Sequence, residues 1–388
     1  MNRDLRLVIL AMFTWGIGEG MFIFFQPLAL SYWGASPVFI GIIYGISGLI
    51  NVLVQLPVGY ITDRIGPHAP MVASWVVGVI GAVVMAAASS LAFFSAGLLV
   101  YGLSMMVLTP LNSYLTRVRG SWSTQRVLTT TSAAFNLGAV IGPIVGGWIG
   151  NQYSIRSIYM YSILILVIST AIIMASSHQA PLSISGRQAG GGNLKLDKRM
   201  AIMLGLFFMS FFSLYFAQPL SPNFLQDVHG LDLEKIGALG SISSLGNTFI
   251  LLAFGGMKSF NGIIIGHALV AGFAAAFWLG NQWLVFAAGY FLLGGYRLAR
   301  SMIIAHTMPQ VPPEEIGKAY GMIETMAAIA VILAPPIAGW VYSLKPSLIF
   351  LCSLIMVAIS LLANLLILPR VAYKKTLAPA QEQMEKNT

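Results

Sequence analysis

Apolar stretches long enough to cross a lipid bilayer dominate this sequence. Twelve can be counted, the first at Leu5–Leu30 and the last at Ser347–Leu368. A helix of about 20 apolar residues spans the hydrocarbon core, where a chain must satisfy all its backbone hydrogen bonds internally. Only 9% of the residues are charged and the mean hydropathy is +0.82, against about 25% charge in soluble proteins. The sequence therefore predicts an all-α membrane protein with twelve transmembrane helices.

A stretch rich in glycine and proline occurs twice, the copies being 192 residues apart. Proline costs roughly 3 kcal/mol inside a helix and glycine about 1. Close packing against a neighbouring membrane helix can offset both. We therefore predict that each copy is a bent helix with a bare face pressed against a partner. The motif comprises Gly138, Gly142, Pro143, Gly146 and Gly147 in the first copy, and Pro335 and Gly339 return in the second.

The duplication extends along most of the chain. Gln26 returns as Gln218 at the same spacing of 192, whereas Gly41 returns as Gly237 at 196. Duplicated halves of apolar segments are typical of secondary transporters, whose sites lie between the halves. We predict two pseudo-symmetric six-helix bundles, followed by a disordered cytoplasmic tail. The bundles are residues 1–176 and 200–370, with a cytoplasmic linker at 177–199 and the tail at 371–388.

The basic residues are distributed unevenly between the loops. With the N-terminus placed in the cytoplasm, sixteen of the 21 Lys and Arg residues fall on the cytoplasmic side and three on the other. The positive-inside rule then predicts a cytoplasmic (inner) membrane protein with both termini in the cytoplasm. The net charge of +9 follows from this topology and does not indicate nucleic-acid binding. A single cysteine, Cys352, excludes an internal disulfide framework.

The loop after the second span carries a recognisable pattern. It reads Gly59-Tyr-Ile-Thr-Asp-Arg-Ile-Gly66, which is similar to the signature loop of the major facilitator superfamily, although Pro67 and His68 stand where that family has basic residues. The stretch from Gly138 to Gly147 resembles a fifth-helix motif of antiporters in the same family. The resemblance implies a fold of two six-helix bundles, with spans one, four, seven and ten lining a central cavity. The gating loop consists of Gly59, Asp63, Arg64 and Gly66.

The charges of this loop are not repeated in the second half. Ser259 and Phe260 stand where Asp63 and Arg64 would recur, while the flanking glycines persist. An acid at a helix end can pair with basic groups or with a facing helix N-terminus. Our hypothesis is a single charged latch that stabilises the outward-open state. The alternative is that both charges are merely solvated.

Four ionisable residues fall inside predicted spans: Glu19, Arg297, Arg300 and Glu324. Each costs roughly 2.5–3.5 kcal/mol at a helix centre. Their counterparts in the other half are uncharged, so the scaffold does not require these charges in both copies. Charges that break the symmetry are candidates for function. The counterparts are Phe211, Met105, Leu108 and Ser132, in the same order.

Glu19 lies near the middle of the first span, about 21 Å along a helix from Leu5. Side chains at helical spacing are expected to share its face. Arg297 is placed on the same cavity by the resemblance, while Arg300 and Glu324 are expected at similar depths and could form an ion pair without any transport role. The residues expected around Glu19 are Trp15, Phe22 and Gln26, with Tyr215 and Gln218 at the corresponding face of the second half.

These residues favour proton-coupled transport. A carboxyl in a low-dielectric cavity can bind and release a proton as the cavity opens to each side, and Arg297 could bind substrate or act as a counter-charge. We expect an antiporter that exports a small organic solute. Symport of an organic anion into the cell is the first alternative, and a non-transporting sensor or a lipid-flipping protein is the second.

Other classes of function lack their sequence signals. No phosphate-binding loop, nucleophile–base pattern or metal-ligand spacing occurs, and the five histidines are scattered. We therefore expect neither an enzyme nor a bound cofactor or metal. The expected partners are a small-molecule substrate, protons and the lipid bilayer, and the expected state is a monomer. The amides Asn112, Asn136 and Asn247 could bind a ligand or simply join helices.

Overall fold

The computed structural model describes residues 2–179, 198–311 and 315–371. These form sixteen α-helices and two short 3-10 segments, and no strand occurs among them. Most of the predicted linker and of the predicted tail lies outside the described residues. The α-helices are α1 Arg3–Ile23, α2 Gln26–Tyr32, α3 Pro37–Ile65, α4 His68–Ala86, α5 Leu91–Gly102, α6 Leu108–Val118, α7 Thr124–Gln152, α8 Ile155–Met174, α9 Lys198–Tyr215, α10 Ser221–Asp227, α11 Leu233–Phe254, α12 Ser259–Leu279, α13 Trp283–Leu292, α14 Gly295–Thr307, α15 Ile316–Leu344 and α16 Leu348–Val371.

Eleven of the predicted spans are long and apolar enough, within the described residues, to cross a membrane. The remaining span, the tenth in chain order and expected at Trp283–Ile304, is divided into α13 and α14. Two glycines, Gly294 and Gly295, stand at this break. The charges of Arg297 and Arg300 also make α14 far less apolar than its neighbours. The tenth predicted span is therefore present as two consecutive helices and not as one.

The fourth span is broken at the corresponding position. Helix α5 ends at Gly102, and a 3-10 segment, Leu103–Val107, connects it to α6. The side chain of Gln55 on α3 donates from Nε2 to the carbonyl oxygen of Met105 over 3.1 Å. A broken membrane helix needs such a partner, because its freed carbonyls cannot reach water. Spans four and ten therefore share a break near their middle.

The two halves, α1–α8 and α9–α16, meet through two helix pairs, α3 with α15 and α7 with α11. In each pair, a glycine of one helix closely approaches a proline of the other. A Cβ added to Gly41 would overlap the Pro335 carbonyl group, and one added to Gly237 would overlap the carbonyl oxygen of Pro143. The two glycines are counterparts in the sequence repeat, and so are the two prolines. The bare helix face predicted from the repeated stretch is present in both halves.

The same stretch of α7 also packs against its own half. Cβ atoms at Gly138, Gly142 and Gly146 would overlap the backbone of α1. Helix α7 continues through Pro143, as α15 does through Pro335 and Pro336. The glycines therefore bring α1 within backbone contact of α7, which fixes where Glu19 stands.

Contacts between the halves lie at one end of the bundle. They use the beginnings of α3 and α11 and the later parts of α7 and α15. At that closed end the Asn223 side chain on α10 donates from Nδ2 to Ser31 Oγ over 2.7 Å and to the Pro27 carbonyl over 3.2 Å. Ser31 and Asn223 are themselves 192 residues apart. The opposite end carries the N-terminus of α1, and a cavity extends towards it.

A cavity between the two halves

The larger of two adjoining cavities has a volume of about 480 Å³. It runs from Glu19, near the middle of the first span, to Leu115 and Leu128, which lie close to the open end. Among the described residues, its lining comes from the first half with one exception, Arg297. A solute in this cavity would touch the second half through that side chain.

The smaller cavity, of about 190 Å³, continues from the first towards α11. It shares Glu19, Phe135 and Arg297 with the larger cavity and also contacts Asn136 and Asn247. Asn112 lines the larger cavity. All three amides that were ambiguous in the sequence therefore face open space rather than only joining helices.

The Glu19 carboxylate is held by one strong donor. Trp15 Nε1, one helical turn away, donates to Glu19 Oε2 over 2.8 Å, and both side chains are 8% exposed. The Trp15 ring is fixed in turn by Trp75, whose centroid lies 5.4 Å away. It also presses on Gly78, where an added Cβ would come within 2.5 Å of the indole. The acid is therefore oriented by packing, not by a basic partner.

Arg297 faces the cavity from the other half. Its side chain is exposed there and forms no ion pair with Glu19 or any other described acid. The helix break at Gly294 and Gly295 places it two residues into α14. Its repeat counterpart, Met105, lines the same cavity. The position thus faces the cavity in both halves, and in the second half it is charged.

Arg300 and Glu324 form the ion pair that the sequence suggested, through Arg300 Nη2 and Glu324 Oε2. Their side chains are 37% and 31% exposed. Neither residue lines the two cavities, although their counterparts Leu108 and Ser132 do. The two charges therefore neutralise each other outside the cavities.

Three other predicted residues lie away from both cavities. Gln26 begins α2 and is buried, because the chain leaves helical geometry after Ile23 and the expected continuous face ends there. The Gln218 side chain donates to the Leu214 carbonyl over 2.7 Å. The Tyr215 ring packs 5.8 Å from the ring of Tyr296. Helix breaks that the sequence pattern did not reveal account for this difference.

The gating loop lies at the open end. Gly66 ends α3 with a φ of 87°, a conformation that favours glycine. The Arg64 guanidinium lies 4.3 Å from the centre of the Tyr60 ring. A Cβ at Gly59 would meet Thr109 only at an ordinary 3.9 Å, so no described helix approaches closely at that glycine. The latch hypothesis for Asp63 stays a prediction.

Several cavity residues were not identified from the sequence. Trp75, Ser104 and Phe135 line the larger cavity, and Tyr101 lies beside Glu19. Tyr101 directly precedes Gly102, a glycine kept in both halves, and this was the available signal. The scattered histidines include one close pair, His68 and His178, whose ring centres are 4.2 Å apart near the open end.

Two duplicated halves around a cavity that opens at one end, with opposite charges facing that cavity, define a membrane transporter. The sequence profile of the Major Facilitator Superfamily matches residues 8–259 and 203–386. The chain belongs to this superfamily, and it is a transporter rather than an enzyme. No curated protein matches the sequence.

Solved structures show the same fold at low sequence identity. The nucleoside transporter NupG superposes with a TM-score of 0.80 at 15% identity, over 96% of this chain and 100% of that one. A bacterial homolog of the human lysosomal transporter Spinster, in an inward-facing and occupied conformation, gives 0.70 at 12%, over 96% and 98%. The human organic anion transporter MFSD10 gives 0.64 at 15%, over 94% and 98%.

Proposed function

We propose that this protein is a proton-coupled secondary transporter that moves a small organic solute by alternating access. One observation carries the proposal: Glu19 and Arg297, from opposite halves, face the same cavity without forming an ion pair. Ionisable groups inside a membrane protein are expensive, and they mark substrate or ion pathways. An unpaired acid and base in one cavity are thus available to a proton and a solute.

The wall of the cavity indicates the chemistry of the solute. Trp75, Leu111 and Phe135 offer apolar and aromatic surface. Among the described lining residues, Arg297 is the only cation. A guanidinium favours planar carboxylate or phosphate groups. The solute we propose has an apolar body and a hydrogen-bond-accepting or anionic group. Two structural relatives are a nucleoside transporter and an organic anion transporter, which agrees with a small organic solute.

Glu19 is the proposed proton carrier. Its carboxylate lies where both cavities meet. A proton would therefore reach it from whichever side of the membrane the cavity opens to. Export by antiport remains the preferred mode, because α7 carries the antiporter-like stretch. Uptake by symport is the second candidate, favoured by the unpaired Arg297 guanidinium.

The membrane orientation follows from the basic residues. We place the protein in the cytoplasmic (inner) membrane with both termini in the cytoplasm. The open end of the bundle is then the cytoplasmic end. The described state is then inward-facing, with the bundles 1–176 and 200–370 closed against each other on the outside. Each bundle would move as a unit in the proposed cycle.

The proposal can be tested without knowing the solute. The purified protein would be screened by thermal shift against small-molecule libraries at two pH values, beside Arg297→Gln. Compounds that stabilise the wild type and not the variant are site ligands. Each would then be followed in proteoliposomes under an imposed proton gradient. Movement against the proton flow supports antiport, and movement with it supports symport.

Glu19→Gln should abolish solute accumulation driven by the proton gradient while leaving solute exchange intact, because the variant cannot release a proton. Glu234→Gln is the matched control, since that acid contacts only Asn151 at the closed end among its described hydrogen-bond partners. Full gradient-driven accumulation by Glu19→Gln would contradict the carrier role. No movement of any ligand in proteoliposomes, with binding retained, would favour a sensor or a lipid-flipping protein.

A further inference from the structure

The Glu19 carboxylate has a second polar neighbour that the proposed mechanism has not used. Trp15 donates its indole N–H to one carboxylate oxygen. An indole can donate but cannot accept. It can therefore orient the acid, but it cannot receive a proton from it. A group able both to donate and to accept is needed to respond to the protonation of Glu19.

Tyr101 meets this requirement. Its ring is 2% exposed, lies nearly parallel to the Trp15 ring at 6.5 Å and meets Phe22 edge-on at 4.9 Å. Its hydroxyl lies close to the Glu19 carboxylate. It makes no hydrogen bond of normal geometry, and it is one of the buried unpartnered polar atoms. Such an atom is costly to bury and needs an explanation.

We propose that Tyr101 is a positioning residue whose hydroxyl donates a hydrogen bond to ionised Glu19 and releases it when Glu19 is protonated. The inference rests on the proposed role of Glu19 as proton carrier. A phenol bonded to a carboxylate forms a charge-assisted hydrogen bond, which is stronger than one to the neutral acid. The two donors, Trp15 and Tyr101, would then hold the charged form together.

The position of Tyr101 connects this bond to the cavity wall. It is the penultimate residue of α5, immediately before the break in the fourth span. The residues that follow the break, including Ser104 and Met105, line the larger cavity. Forming or releasing the hydrogen bond between Tyr101 and Glu19 would therefore move the fourth span at its break, where its helical geometry is least regular. Protonation on α1 would be transmitted to the wall that faces the solute.

Other ionisable groups around Glu19 are few among the described residues. Arg297 faces it across the cavity from α14, and α7 presents Ser132, Phe135 and Asn136 there, none of them charged. From α8, Tyr159 packs against Phe22, with 5.5 Å between the ring centres. Tyr159 is 1% exposed and its hydroxyl is also unpartnered, but it does not interact with Glu19. It is a natural control.

The test uses protons alone as the ligand. Infrared difference spectra between acidic and alkaline pH would be recorded for the full-length protein in liposomes, and the protonated-carboxyl band absent from Glu19→Gln belongs to Glu19. Tyr101→Phe should raise the ratio of protonated to ionised Glu19 at a fixed pH by roughly tenfold, because a bond to a charged group is lost. The band of the ionised carboxylate should also move in frequency, because that is the form to which the hydroxyl donates. Tyr159→Phe should change neither the ratio nor that band.

A second variant keeps the residue and the fold. Fluorotyrosine at position 101 is a more acidic phenol and a stronger donor, so it should lower the same ratio. Equal spectra for wild type and Tyr101→Phe would overturn the inference while leaving Glu19 as carrier. Equal changes in Tyr101→Phe and Tyr159→Phe would also overturn it, since packing alone would then be responsible. Absence of any Glu19 band would remove the carrier itself.

Discussion

At the scale of single residues, the molecule treats its membrane charges in two ways. Arg300 and Glu324 neutralise each other, whereas Glu19 and Arg297 are left facing open space. An opposite charge lowers the free-energy cost of placing its partner in the membrane, so removing one member of the pair leaves the other uncompensated. An unpaired charge in a cavity is retained at a cost to stability and has to be explained by function.

The ion pair predicts a specific pattern of stability. Glu324→Gln should lower the free energy of unfolding by about 1–3 kcal/mol, less than the roughly 3–5 kcal/mol of a fully buried pair, because the two side chains are 37% and 31% exposed. The double variant Arg300→Gln with Glu324→Gln should recover part of the loss. Thermal unfolding in detergent measures both. Equal losses in the single and double variants would show that the pair does not couple.

At the scale of helices, glycine decides how closely spans approach. Helix α7 lies against α1 with backbone atoms in contact, and Gly142 would place an added Cβ 2.5 Å from the Ile17 carbonyl oxygen. Small residues are what allow such contacts in membranes, where the hydrophobic effect does not drive helices together. Since Glu19 lies on the same α1 segment, this packing also positions the proposed proton site.

Gly142→Ala should therefore destabilise the protein by about 1–3 kcal/mol, the usual cost of overpacking. Gly205→Ala on α9 is the matched control, because a Cβ there meets no atom within 4 Å. That variant should gain up to about 1 kcal/mol from helix propensity. Thermal unfolding of the two variants should thus move in opposite directions. Equal shifts would mean that the α1–α7 approach is not tight.

At the scale of the whole molecule, closure is made at one end by contacts that the duplication repeats. Gly41 with Pro335 and Gly237 with Pro143 form the two helix contacts. The side chain of Asn223 then joins the halves through Ser31, its own repeat counterpart. Alternating access requires these contacts to break while others form at the opposite end. The buried amide of Asn223 contributes the two shorter polar contacts of this closure.

Asn223→Ala should therefore populate the state that is open at the other end. The readout is a cysteine placed in the cavity as Ser132→Cys, with Cys352 replaced by Ser, labelled by a membrane-impermeant maleimide from outside. Losing about 1 kcal/mol of hydrogen bonding should raise the labelling rate roughly fivefold. Asn151→Ala, which removes one long 3.4 Å bond to Glu234 at the same end, should change it much less. Unchanged labelling in Asn223→Ala would contradict its role in closure.

Much of the fold could be predicted from the sequence for simple reasons. Apolar length determines a membrane helix, and a repeat spacing of 192 residues is visible without coordinates. The glycine and proline contacts followed from that spacing, because small residues on one helix face require a close partner. The charges inside spans could also be recognised, since an ionisable residue within an apolar stretch is visible in the sequence alone.

The composition of the cavity could not be predicted in the same way. Gln26 was expected beside Glu19, but α1 ends at Ile23. Tyr101 and Trp75 were missed because aromatic residues in an apolar span resemble ordinary packing. The division of the tenth span also depends on partners, since a helix break is stable only where neighbouring groups satisfy the freed backbone.

By itself, the sequence determined that this chain crosses the membrane repeatedly, that its halves are copies, and that four charges are unmatched between them. These properties depend on residue type and spacing alone. Only the tertiary structure decided which of those charges neutralise each other and which face the cavity. That division depends on where breaks and close approaches direct each side chain, and a one-dimensional spacing does not contain those directions.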